Sequence, residues 1–310
     1  MIKIKNLHKQ YNDIVAIKNI SFEVQEGDIL GLLGPNGAGK STTISILGGI
    51  IQNYRGEVEA FGKNLSKNKK EIKRKIGVVP QDIIIFHDLT ARENLEYFGS
   101  LYGLKGKELK KHVDETLAFI GLEKVAKRLP KTFSGGMKRR LNIGCAIVHE
   151  PKLIILDEPT VGIDAQSRNH ILESIRLLHK RGATIIYTSH YMEEIESICD
   201  RILIIDKGEI IEQGTTEELL DQYNQNVCYR FTLNKVGNKA LVSDLKKKEL
   251  VESCFCQEEN IEIVCKDAGC ALQEIIETIE KNGFRYHTIN SKKNNLEDIF
   301  LQLTGRTLRD

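Results

Sequence analysis

The sequence predicts an α/β protein: a mostly parallel sheet covered by helices on both faces, with antiparallel strands at the N-terminus and a small α+β domain at the C-terminal end. Three observations predict it. Short apolar, β-branched runs alternate with helical periodicity through the first two thirds of the chain, which is the pattern of a parallel sheet. The stretch from about Leu89 to Arg128 carries no strand signal and reads as an inserted helical region. Beyond about Gln222 the glycines thin out, no proline follows Pro159, and the alternation changes to β-α-β-β-α-β followed by a helix.

Composition bounds what such a chain can do. Its 310 residues suffice for one large domain or two. Apolar residues make up 41% and charged residues 28%, as in a globular protein that buries a sizeable core. A net charge of +2 gives no ground for expecting a nucleic acid or an anionic membrane surface as partner. No apolar run approaches the roughly 18 residues of a membrane span. The N-terminal MIKIKNLHKQ interleaves lysines with apolar residues and does not read as a signal peptide. An odd total of seven cysteines argues against a disulfide framework.

The elements follow in order. DILGLLG is a short apolar run closing on glycine, a buried strand. KSTTISILGGI continues as a helix. IGVVPQ, KLIILDEP, ATIIYTSH and DRILIIDKGEII are further strand runs. AQSRNHILESIRLLHKRG is a helix whose last turn carries Lys180 and Arg181 and whose stop is Gly182. ELLDQYNQNV reads as a helix end and polar joint, so the expected division is 1–219 for the first domain, with its helical subdomain at about 86–140, and 220–310 for the second. In the second, VCYRFTL, LVESCFC, NIEIVC and FRYHTI are strands. KALVSDLKKKE, ALQEIIETIEKNG and NLEDIFLQLTG are helices, and the order suggests a ferredoxin-like unit.

Chemistry concentrates between strands and helices. GPNGAGKST runs from Gly34 through Pro35, Asn36, Gly37, Ala38, Gly39, Lys40 and Ser41 to Thr42, and it fits the phosphate-loop spacing G-x-x-x-x-G-K-[ST] between a strand and a helix. Its glycines let successive N–H groups wrap a phosphate that also meets the positive end of the helix. Lys40 is expected on the β- and γ-phosphates and Ser41 on Mg²⁺. In LIILDEP, Asp157 and Glu158 stand at the C-terminal end of a buried strand, where open α/β sheets bind ligands. Asp157 is expected to hold Mg²⁺ and Glu158 to take a proton from the attacking water.

With these residues in place the chain resembles the nucleotide-binding subunits of ABC transporters. GPNGAGKST, Gln81 in VVPQD, FSGGM, LIILDEP, VGID and His190 in YTSH occur in that family's order over about Ile2 to Leu219. The resemblance implies ATP and Mg²⁺ as cofactors, and two subunits packed head to tail. Ser134, Gly135 and Gly136 of FSGGM then face the γ-phosphate bound on the other subunit, Asp164 lies in the loop that crosses between subunits, and Gln81 contacts Mg²⁺ or the γ-phosphate. His190 orients the attacking water, and Tyr11 stacks on adenine. Met137 stands where the family more often has glutamine, and Ile163 where leucine is commoner. The trio Lys138, Arg139 and Arg140 is expected on a solvated helix face.

FSGGMKRRLNIG, EPTVGID and the ending NNLEDIFLQLTGR resemble the daunorubicin-resistance type of drug and lipid exporters. That implies a homodimeric or heterodimeric ATPase, cytoplasmic and peripheral on the inner face of the membrane, driving a separate integral-membrane permease. Two rival readings are an ABC ATPase of DNA repair or translation, which would bind nucleic acid or ribosomes with steep salt dependence, and a regulatory or immunity protein that binds ATP without transport. Of the five late cysteines, Cys228, Cys254, Cys256, Cys265 and Cys270, the spacing matches no zinc pattern, and buried reduced thiols are expected.

Overall fold

Apolar runs bounded by glycine and polar turns become strands, and the computed structural model describes residues 1–223, 227–266, 268–292 and 295–305. In chain order the first unit contains β1 (Ile2–Tyr11), β2 (Ile14–Val24), β3 (Ile29–Leu33), α1 (Lys40–Leu47), β4 (Arg55–Ala60), β5 (Lys63–Asn64), α2 (Lys69–Lys73) and β6 (Ile76–Val79). The helical stretch follows as α3 (Ala91–Leu101), α4 (Gly106–Phe119) and α5 (Gly135–Ile147). Next come β7 (Leu153–Asp157), α6 (Ala165–Lys180), β8 (Thr184–Thr188), α7 (Met192–Ile198), β9 (Arg201–Asp206) and β10 (Glu209–Gly214); helix α8 (Thr216–Tyr223) then begins at the division between the units. The described chain forms two compact units, Met1–Thr216 and Glu217–Gly305.

The main sheet of the first unit has the order β10-β9-β3-β8-β7-β6. β9, β3, β8, β7 and β6 run parallel, and β10 closes one edge antiparallel. Every residue of β3 and β8 is buried, as expected of central strands covered on both faces. DRILIIDKGEII is not one strand: it folds back at Lys207 and Gly208, both with positive φ, into the tight hairpin β9–β10.

A second, antiparallel sheet of order β2-β1-β4-β5 alternates buried and exposed residues along β1. One buried cluster joins the two sheets through Ile2 and Ile4, Leu30 and Leu32, Ile44 and Leu47 of α1, and Leu153 and Ile155. The helical part has its own core, with Leu95, Val113, Leu117, Ile120, Leu141 and Cys145 at its centre. α3 starts at a reciprocal capping box between Thr90 and Glu93.

The second unit contains β11 (Val227–Leu233), α9 (Lys239–Lys246), β12 (Val251–Gln257), β13 (Asn260–Cys265), α10 (Ala268–Lys281), β14 (Tyr286–Lys292) and α11 (Leu296–Thr304). Its all-antiparallel sheet has the order β12-β13-β11-β14, the ferredoxin-like arrangement. Tyr229, Phe231, Leu241, Leu245, Ile261 and Ile263 form its core. Cys254 and Cys265 are buried in that core, and burial pushes both thiols up to about 11, so they are protonated at neutral pH. No group of three or more metal-ligating His, Cys, Asp or Glu residues occurs among the described residues. The side chain of Cys270 lies outside them.

Candidate functional site

The sheet order β3-β8-β7-β6 sets four strand ends side by side. Four predicted segments leave those ends: the loop Gly34–Gly39 after β3, Ser189 and His190 after β8, Asp157 and Glu158 at the end of β7, and Pro80 and Gln81 after β6. All four strands are parallel, so the segments emerge at the same edge.

The loop is built for an anion. Gly39 has φ 108° at the N-cap of α1, a conformation that suits glycine. No side chain caps α1, and its first turn holds no acid, so its N-terminal dipole is not offset. Gly34 allows a close approach, since a Cβ there would lie 2.2 Å from the carbonyl oxygen of Ile205. Ala38 accepts from the N–H of Gly208 at 3.0 Å, and Gly208 accepts from that of Lys18 at 2.7 Å, which seats the loop against the β9–β10 turn and β2. Lys40 is buried, with its Nζ donating to the carbonyls of Gly34 at 2.5 Å and Pro35 at 3.2 Å. Burial lowers its pKa, and the negative charges of Glu158 and Asp157 act the other way. Asn36, Gly37 and Ser41 are exposed along the loop and the start of α1, and Thr42 is half-buried.

Glu158 is the centre of the constellation. Its Oε2 lies 3.3 Å from Nδ1 of His190 and receives Nε2 of Gln81 at 3.4 Å. Three segments far apart in sequence thus meet at one carboxylate oxygen. Its own backbone has φ 46°, a left-handed conformation that is strained for a glutamate. The strain is held because the N–H of Glu158 donates to both Oγ1 and the carbonyl of Thr188, at 2.9 and 3.2 Å. Asp157 accepts from the Thr188 hydroxyl at 2.7 Å.

Ser134, Gly135 and Gly136 stand apart from this cluster, at the N-terminus of α5. Ser134 caps α5, its Oγ accepting from the N–H of Met137 at 3.3 Å. A Cβ on Gly135 would meet nothing within 4 Å, whereas one on Gly136 would strike Oγ and Cβ of Ser167 at 2.2 and 2.6 Å, with Oδ2 of Asp164 at 3.7 Å. Asp164 caps α6 by accepting from the N–H of Ser167 at 2.9 Å, a bond that lowers its pKa. So FSGGM and VGID adjoin each other within one chain. Tyr11 is exposed at the end of β1, with the Lys9 ammonium 4.5 Å from its ring centre.

Two members of the basic trio, Arg139 and Arg140, are a correction. Arg139 is only 3% exposed and donates to the carbonyls of Pro80 and Gln81 at 3.0 and 2.6 Å. Arg140 donates to the carbonyl of Ile120 at 2.8 Å. Both guanidiniums face inward, because the helix face that was expected in water packs instead on the turn after β6 and on the end of α4. Sequence reasoning also missed Thr188, which accepts from the N–H of Glu158 and donates to Asp157, and Glu194, which accepts from the Ser189 hydroxyl next to His190. A threonine inside an apolar run and one glutamate among several carry no pattern that marks them.

The residues present fit ATP with Mg²⁺. The uncapped helix and the glycine loop offer N–H groups to phosphate. Ser41, Asp157 and Gln81 are the residues that would hold Mg²⁺, which supplies charge neutralisation at the phosphates. Lys40 would add a positive charge beside the phosphates, and the Glu158 carboxylate would be placed to accept a proton.

A parallel sheet, a phosphate loop and an acid at a strand end on the same edge define a nucleotide-hydrolysing protein of the phosphate-loop class. Residues 17–161 match the family described as ABC transporter. The chain is 44% identical over 315 residues to the linearmycin resistance ATP-binding protein LnrL of Bacillus subtilis, with the whole of both chains covered. It is 36% identical over 312 residues to the Nod factor export ATP-binding protein I of Sinorhizobium fredii, covering all of this chain and 87% of that one. Among solved structures it is similar to the dimeric, post-hydrolysis ATP-binding cassette MJ0796 with ADP and Pi, at 29% identity and a TM-score of 0.64, over 69% of this chain and 98% of that one. The chain belongs to the ABC transporter ATP-binding family. As a member it binds ATP with Mg²⁺ and hydrolyses it.

Proposed function

We propose that this ATPase powers a separate integral-membrane permease that exports drugs, lipids or other hydrophobic compounds. The export reading rests on the likeness to the linearmycin resistance and Nod factor export proteins along their length. The chain itself offers no helix, among the described residues, long and apolar enough to cross a membrane. A permease would supply the spans, and this subunit would sit on the inner face of the membrane.

In the proposed cycle two subunits, identical or related, close head to tail on two ATP molecules. Ser134, Gly135 and Gly136 of one subunit cover the γ-phosphate held by the other, and Tyr11 stacks on adenine. His190 orients the attacking water and Glu158 takes its proton. Closure drives the permease through the turn at Gln81, and hydrolysis reopens the pair. The observation that carries this reading is the meeting of Gln81 and His190 on Oε2 of Glu158, beside the loop that holds Lys40. A lost proton acceptor of this kind costs about 10²- to 10⁴-fold in rate.

The test is to capture tagged Glu158→Gln protein from detergent-solubilised membranes of its host with ATP present. We expect turnover reduced by at least 10²-fold, ATP binding retained, and a polytopic membrane protein recovered in stoichiometric amount. Wild-type turnover would remove Glu158 as the base. Recovery of the chain alone would remove the permease.

A further inference from the structure

Behind the site lies a carboxylate that the proposed chemistry does not use. Glu194 of α7 is 3% exposed. Its Oε2 accepts three hydroxyls: Ser189 at 2.6 Å, Tyr187 at 2.7 Å and Thr160 at 2.9 Å. Its Oε1 has no hydrogen bond and stands 3.5 Å from Nε of Arg168, which has none either. The Arg168 guanidinium in turn lies 4.3 Å from the ring centre of Tyr191. Burying a carboxylate on hydroxyls, with an ion pair held at arm's length, is a costly arrangement that packing alone does not call for.

Its partners explain it. Ser189 immediately precedes His190, and its Oγ, while donating to Glu194, accepts from the N–H of Tyr191 at 2.9 Å. The turn that carries His190 is therefore fixed on both sides. Thr160 lies two residues beyond Glu158 and pins the chain just after the strained φ of that residue. Arg168 sits in the first turn of α6, just after the Asp164 loop. One buried oxygen thus ties the segment bearing the acid to the segment bearing the histidine, and its fellow oxygen faces the helix that leads from the crossing loop.

We infer that Glu194 is a positioning residue for hydrolysis, setting the Glu158–His190 separation through Thr160 and Ser189. Its buried carboxylate acts through these hydroxyls. The inference rests on the proposed roles of Glu158 and His190. A misplacement of about 1 Å in such a pair costs on the order of 10²-fold in rate. Glu194→Gln keeps the size but places an amide N–H₂ either among the three hydroxyls or against Arg168, so the convergence on one oxygen loosens.

The experiment measures steady-state ATPase kinetics, ATP affinity by calorimetry and thermal melting on the full-length protein and its Glu194→Gln, Thr160→Val, Thr160→Ser and Ser189→Ala variants. Glu158→Gln runs in parallel. We expect Glu194→Gln to lower kcat at least tenfold while KM and ATP affinity stay within twofold. Thr160→Val and Ser189→Ala should each lower kcat about threefold or more, with Thr160→Ser restoring it, and their losses should not add to that of Glu194→Gln. A kcat for Glu194→Gln within twofold of wild type, a rise in KM that matches the fall in kcat, or fully additive losses would overturn the inference. Should Glu194→Gln fail to fold, the near-isosteric Thr160→Val and Ser189→Ala decide alone, and wild-type kcat in both sinks it. If Glu158→Gln is inert while Glu194→Gln is fully active, the base assignment stands and this inference falls. If Glu158→Gln turns over normally, both fall.

Discussion

At the scale of single residues, the proposed chemistry rests on side chains held against their ordinary preferences. Lys40 is kept in a desolvated pocket, and Glu158 sits at a left-handed φ. Arg139 is the residue whose burial was least expected. Its guanidinium replaces water for two main-chain carbonyls at the turn that carries Gln81. Arg139→Met keeps the buried stem and strips those bonds, so we expect about 2 kcal/mol lower stability by urea denaturation, the cost of leaving buried carbonyls without donors. The sequence showed Gln81, His190 and Glu158 through their positions in an ordered series. Arg139 was missed because its role comes from a fold-back of 58 residues that no local pattern contains.

At the scale of elements, the junction of α5 and α6 is set by the absence of a side chain. A Cβ on Gly136 would sit 2.2 Å from Oγ and 2.6 Å from Cβ of Ser167, whereas Gly135 faces open space. Gly136→Ala should cost about 1–3 kcal/mol as overpacking, and Ser167→Gly should restore most of it in a melting experiment. Gly135→Ala should leave the melting temperature of the nucleotide-free protein unchanged. The end of α5 carries a pH dependence. His149 is stacked on Tyr102 with ring centres 3.5 Å apart, and burial pulls its pKa down to about 4. An unfolded histidine binds its proton near pH 6.5, so the unfolded chain takes up more protons between about pH 6.5 and 4. Stability therefore falls as pH drops through that window, by about 2 kcal/mol at pH 5. His149→Phe keeps the stack and should remove this slope, which denaturation at pH 7 and pH 5 reads directly.

At the scale of the whole molecule, the proposed cycle needs a second copy. Ser134, Gly135 and Asp164 are exposed, Gly135 faces open space, and Gly136 packs on Ser167 and Asp164 of its own chain. In the Glu158→Gln protein, ATP with Mg²⁺ should therefore double the mass seen by sedimentation. Adding Gly135→Glu, which sets a negative charge where a γ-phosphate is expected, should keep the mass at that of one chain while ATP binding to the separate subunit persists. A dimer that forms equally without ATP would count against the sandwich.

The sequence by itself determined the classes of element and most of their order, since period-2 and period-3.6 apolar patterns, glycine stops and the phosphate loop are local signals. It also marked Lys40, Asp157 and Glu158 as chemical residues, because their spacing from a strand end is short. Tertiary structure alone decided the strand order that brings β6, β7, β8 and β3 together, and with it the convergence of Gln81 and His190 on one oxygen of Glu158. It alone turned Arg139 inward and buried Glu194 among three hydroxyls. Pairing between strands, and the desolvation that makes a buried charge informative, depend on contacts between residues distant in the chain, and local sequence patterns do not encode those contacts.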